Sequence, residues 1–245
     1  MPTMNIVSGA PGDQFRGSST TTKRGHPLGS AMQFADGRRF RYAKAAGTAI
    51  AVAKLCQQTL NDANFDELVV PTARAAGDRT VTLTTGATAV TLDQLADGWA
   101  VVEDDTGEGY IYTIKSNPAA GTTSTLTLEL YEELQVAWTT STTVGIFVNP
   151  YAATIIHPSP ATALLTGITV SAMSASRFGW LATWGPAICL VEGTWVINEG
   201  LIDSASADGA AAPTASTAAG EENYVGLTME VTATTEHGLM FAKIS

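Results

Sequence analysis

The chain has 245 residues, enough to bury a full core as one large β domain or two small ones, and only 15% of them are charged. Its net charge of −10 argues against nucleic acid as the main partner, since neutralising phosphates takes a basic footprint. No run approaches the ~20 apolar residues of a membrane span, and the opening MPTMNIVSGAPGDQ lacks the charged-then-apolar order of a signal peptide. A protein made in a cytoplasm, with no membrane partner, is therefore expected.

The charge is unevenly spread. Residues 1–58 hold eight basic against two acidic groups, a net of +6, and residues 59–245 hold five against 21, a net of −16. Residues 1–45 are glycine- and proline-punctuated and show no period of 2 or 3.6, so they predict an extended basic arm. Its cations include Arg16, Lys23, Arg24, Arg38, Arg39 and Arg41, interleaved with the apolar anchors Ile6, Phe15, Leu28, Met32 and Phe34. Such an arm can order by lying across a partner surface. After the Asp36-Gly37 turn signal, Phe40 and Tyr42 fall on one face of a short strand and Arg39 and Arg41 on the other. Arg and aromatic residues so interleaved can stack on single-stranded nucleic acid, but no second strand of this kind follows.

GTAIAVAKLCQQTL (47–60) spaces Ile50, Leu55 and its alanines at roughly helical intervals, which predicts one short helix. Residues 61–78 read as loop, with Asp62, Asp66 and Glu67 lacking the ligand spacing of a calcium loop. From Arg79 the period becomes 2. RTVTLTT, AVTL, GWAVVED, GYIYTIKS, STLTLEL and TVGIFVNP give about six strands, and Asp105-Thr106-Gly107-Glu108 closes a hairpin. Glu103, Asp104, Asp105 and Glu108 crowd its tip. A paired-carboxylate glycosidase is disfavoured there, because an exposed tip lacks the burial that separates two pKa values.

Residues 151–170 read as further strands, with His157 as a turn residue before proline. RFGWLATWGPAICLVEGTWV (177–196) carries three of the five tryptophans, Trp180, Trp184 and Trp195, and four consecutive apolar residues at Ala187–Leu190. Single glycines and Pro186 predict short strands joined by tight turns, packed in the main core or against a neighbouring copy. The low-complexity segment Gly200–Asn223 reads as a long surface loop, and YVGLTMEV and GLMFAKI as closing strands. Cys56 and Cys189 lie in apolar surroundings without metal-ligand spacing and are expected to be buried free thiols. No phosphate-binding glycine loop or nucleophile elbow is present.

These readings sum to an all-β barrel or sandwich body with an extended N-terminal arm and at most one short helix. Its expected parts are the arm (1–45), a first β subdomain (46–150) and a second (151–245) with the Trp-rich core and a loop at 200–223. No catalytic constellation, cofactor or metal site is expected.

The 177–196 stretch resembles the C-terminal half of the head decoration, or capsid cement, proteins of tailed bacteriophages. DGRRFRYAKAAGTAIAVAKL (36–55), DGWAVVEDDTGEGYIYTIKSN (97–117) and VGIFVNPYAATI (144–155) extend the resemblance in the family's order. It implies a structural virion protein on the outside of the head, with the major capsid protein and copies of itself, as a homotrimer, for partners. Arg16, Lys23, Arg24, Arg38, Arg39 and Arg41 would then be capsid-binding, and Trp180, Trp184 and Trp195 core or oligomer contacts. A carbohydrate-binding or host-adhesion module of a tail fibre or spike is the alternative, with Trp99, Trp138 or Trp195 stacking on sugars.

Overall fold

The computed structural model describes residues 7–16, 25–214 and 223–244. It is all-β, with single 3-10 turns among the described residues at Asp13–Phe15 and Ala63–Phe65. The chain divides into two compact units, Asn61–Asn149 and a second made of residues 2–60 with 150–245.

Residues 61–149 hold β5 (Leu68–Val69), β6 (Thr80–Thr84), β7 (Trp99–Asp104), β8 (Ile111–Ser116), β9 (Thr125–Leu130) and β10 (Thr143–Phe147). They form one antiparallel sheet in the order β5-β10-β7-β8-β9-β6. The alternation read from sequence follows from burial of one face only. Val81, Leu83, Ala100, Val102, Leu126 and Leu128 point into a core completed by Phe65, Tyr112 and Trp138, and the residues between them face out. The Asp105–Glu108 turn joins β7 to β8 as expected. Asn61 clasps the ends of this unit, donating from Nδ2 to Ile146 O (2.8 Å) and accepting from Val148 N–H (3.2 Å).

The second unit holds β1 (Val7–Ser8), β2 (Ala31–Gln33), β3 (Arg39–Lys44) and β4 (Leu55–Gln58), then β11 (Thr154–Ile156), β12 (Leu165–Thr169), β13 (Phe178–Val191), β14 (Gly200–Asp203), β15 (Ala210–Pro213), β16 (Tyr224–Thr228) and β17 (His237–Lys243). The 14-residue β13 is its axis. Successive pairing of β13, β15, β14, β16 and β17 returns to β13, so these five strands close a barrel. Closure leaves none of the five as a free sheet edge along its paired length. The sheet continues from β13 through β3 and β2 to β1, and through β12 and β4 to β11.

Several expectations are corrected here. Residues 47–60 are not helical. Ala53 takes a left-handed φ of 58°, and Leu55–Gln58 is a strand held between β11 and β12. Strands on both flanks bury nearly every β4 side chain, which removes the alternation and overrides alanine's helix propensity. The 177–196 stretch is not a chain of short strands, because β13 runs unbroken through Pro186. From Gly185 to Cys189 it pairs with β17 on one flank, β3 having ended at Trp184 and β15 starting at Leu190. A proline is tolerated where one flank carries no ladder.

The arm is not separate from the body over residues 31–44. Phe40 and Tyr42 are core residues, and β3 pairs with β13 from Phe178 to Trp184. Nor is Gly200–Asn223 a surface loop over the residues described, since it supplies β14 and β15, with Ala210, Ala211 and Ala212 buried. Small side chains are required because Trp195, wholly buried, donates from its indole N–H to Ala211 O (3.3 Å). A Cβ on Gly238 would stand 2.6 Å from the same ring. Residues 215–222 of that segment lie outside the described residues.

Candidate functional site

The candidate site is the outward side of the barrel around Trp184, where β3, β13 and β17 meet. Along β13 the side chains alternate, Ala187 and Cys189 pointing inward and Trp184, Pro186 and Ile188 pointing outward. The antiparallel register sets Trp184, Pro186 and Ile188 opposite Lys243, Phe241 and Leu239 of β17. Trp184 is 37% exposed and meets Phe241 edge to face, with centroids 5.7 Å apart. The Arg39 guanidinium lies 5.8 Å from the centre of the Trp184 ring. An aromatic ring capped by a cation, on an otherwise apolar strip, is the composition of a protein-binding surface.

Of the six basic residues expected to bind a capsid, the four that are described are held in different ways. Arg39 belongs to the strip just described. Arg38 is turned back, with its Nε 2.8 Å from Asp36 and its guanidinium over the Phe34 ring at 4.9 Å. Arg41 spends Nη1 on the carbonyl of Gly29 (3.0 Å), fastening the segment before β2 to β3. Arg16 is exposed and pairs with Asp13 at 3.1 Å. Lys23 and Arg24 lie outside the described residues.

The three tryptophans divide as well. Trp180 and Trp195 are core residues, Trp180 packing against Tyr42 at 5.0 Å, while Trp184 alone reaches the surface. Of the residues named for sugar stacking, Trp138 and Trp195 are fully buried and Trp99 is half-buried. Sequence reasoning missed Ile188, Leu239 and Phe241, although the alternation in GLMFAKI carried the signal for the last two.

Other chemically able groups are absorbed by the fold. His157 directly follows the end of β11, before Pro158, and is wholly buried, with Nδ1 2.6 Å from Pro158 O and Nε2 2.9 Å from Ala210 O. Cys56 and Cys189 are buried free thiols; burial pushes Cys189 up to about 12 and Cys56 further in the same direction. Both remain protonated and unreactive. Glu103 is not at the hairpin tip. Its carboxyl accepts from Glu67 N–H (3.0 Å) and is held above its ordinary pKa by desolvation, with Asp66 and Glu67 adding negative charge nearby. Asp105 shifts the opposite way, chiefly through the Thr139 hydroxyl that donates to it at 2.5 Å. Ser204, buried beside β14, donates to Glu192 and receives Ala207 N–H (2.7 Å), closing the turn into β15. Among the described residues, no group of three or more His, Cys, Asp or Glu side chains is arranged to hold a metal ion. No family model, curated protein or solved structure matches this chain.

Proposed function

We propose that the chain is a structural virion protein that binds the outer surface of an icosahedral phage capsid and stabilises it by bridging capsid subunits. The observation that carries this reading is the Trp184–Arg39 strip, an exposed aromatic and cation on an apolar sheet face, on a chain whose two thiols and His157 are sealed in the core. The resemblance of the segments at 36–55, 97–117, 144–155 and 177–196 to head decoration proteins supplies the partner class. Its partners are then the major capsid protein and further copies of itself, on the outside of the head. Repetition over a lattice turns modest single contacts into firm attachment through effective concentration.

Co-sedimentation with phage heads stripped of the protein tests this. Wild-type chain is expected to saturate a fixed number of sites. Trp184→Ala with Arg39→Ala is expected to lower occupancy at least about tenfold, since a central aromatic and its cation are typical hot-spot residues. Both side chains are at the surface, so circular dichroism should be unchanged. Absence of saturable binding by the wild type would overturn the reading; equal binding by the double variant would move the contact elsewhere on the chain.

A further inference from the structure

Two outward sheet faces on this chain are alike in shape of composition and opposite in charge. The first is the β13–β17 strip, in which Ile188 is 45% exposed beside Leu239 and Phe241. Its cations gather at the Trp184 end. Arg39 lies over the indole, and Lys243 stands opposite Trp184 in register with its Nζ 5.9 Å from the centre of the Tyr224 ring. At the far end Glu230 accepts the N–H of Leu239 (2.6 Å).

The second face lies within residues 61–149. On the outward side of the sheet Phe147 sits beside Trp99, and Gly145 beside Val101, which in turn neighbours Ile111. Phe147 is 42% and Ile111 59% exposed. The next outward position of β7 is Glu103, whose carboxyl lies over Gly145 in the space a Cβ would fill. Asp66 and Glu67 are beside it. This apolar strip therefore ends in three acidic side chains. It also belongs to a unit with three basic and 13 acidic groups, a net of −10, whereas the rest of the chain has ten of each and a net of zero.

We propose that the β13–β17 face of one copy docks on the β7–β8–β10 face of a second copy. Contiguous apolar strips of this kind on a soluble protein mark contact sites. Pairing either face with itself brings like charges to the rim, which opposes association. Pairing the unlike faces sets Arg39 and Lys243 toward Glu103, Asp66 and Glu67. Such a contact is heterologous, so a pair leaves one β13–β17 face and one β7–β8–β10 face free at its two ends, and growth ends only if a ring closes. The inference rests on the part of the functional reading that gives the chain its own copies as partners, and it specifies the surfaces they use.

Analytical ultracentrifugation of the full chain tests it without any capsid. Wild type is expected to show concentration-dependent association that weakens as salt rises. Ile188→Asp spoils only the first face and Ile111→Asp only the second. Each variant alone is expected to lose association and sediment as a monomer, and an equimolar mixture is expected to recover a dimer and stop there, because one good contact can form between unlike variants. Circular dichroism of each variant establishes that it is folded. A wild type that stays monomeric at every concentration overturns the proposal, as does a mixture that stays monomeric or a variant that associates like wild type. Head binding is measured separately with Ile111→Asp, which leaves the β13–β17 strip that carries the proposed capsid contact untouched, so loss of self-association and loss of capsid attachment are read apart.

Discussion

Single atoms decide much of this fold where a side chain would collide with backbone. Gly226 in β16 has φ 154°, and a Cβ there would run into the carbonyl oxygen of Phe241 on the neighbouring strand. Backbone cannot step aside as a flexible side chain does, so Gly226→Ala combines a disfavoured conformation with overpacking. We expect it to cost at least about 3 kcal/mol, read as a lowered midpoint in guanidinium melts; an unchanged midpoint would refute the argument. Glu103 gives a second, pH-dependent prediction. Its carboxyl titrates above the ordinary 4.5, so the native state favours the protonated form. The stability it contributes is full below the unfolded-state pKa and is lost as pH rises through the raised native value. Glu103→Gln keeps an oxygen for Glu67 N–H and removes the titration. The variant should gain on wild type progressively as pH climbs from 4.5 to neutrality. Parallel stability–pH curves for the two proteins would contradict this.

Among the elements, β13 has the widest set of partners, pairing with β3, β12, β15 and β17. Removing β3 takes Phe40 and Tyr42 from the core and uncovers β13 along its first half. A chain beginning at Ala43 should therefore lose near-ultraviolet circular dichroism from this unit. A chain beginning at Gly25 keeps β2 and β3 with their aromatic core residues and, of the described residues, gives up the edge strand β1, the half-buried Val7 and the buried Gln14, so it should retain the native near-ultraviolet spectrum. Equal behaviour of the two truncations would show that β3 is dispensable.

The same elements show what a sequence can reveal. β6 to β10 were legible because one face is wet and the other dry, which writes a period of 2 into the residues. The pattern is erased in β4, β14 and β15, whose side chains are buried almost throughout. Ala210–Ala212 looked like loop because the Trp195 ring that requires small neighbours lies elsewhere in the chain. Arg39 and Trp184 were each singled out from sequence, but their stacking depends on a β3–β13 pairing that local pattern does not encode.

At the scale of the whole molecule, Asn61–Asn149 interrupts a unit built from the segments on either side of it. The point of interruption is tied on both sides. In the outer unit Gln58 of β4 pairs with Thr154 of β11, and Thr59 N–H donates to Ala153 O at 3.0 Å. In the inner unit Asn61 holds Ile146 and Val148. A segment whose ends meet, and whose core from Phe65 to Trp138 is filled from within, has what it needs to fold alone. Its size also suffices, since domains well below 100 residues bury enough surface for independent stability. We therefore expect the fragment 61–149 to fold cooperatively, with a single urea transition and the blue-shifted emission of the buried Trp138. Its net charge of −10 should move that transition to higher urea as salt is added, because screening relieves repulsion in the compact state. A fragment that is unfolded at every salt concentration would mean that this unit depends on the outer segments for its stability.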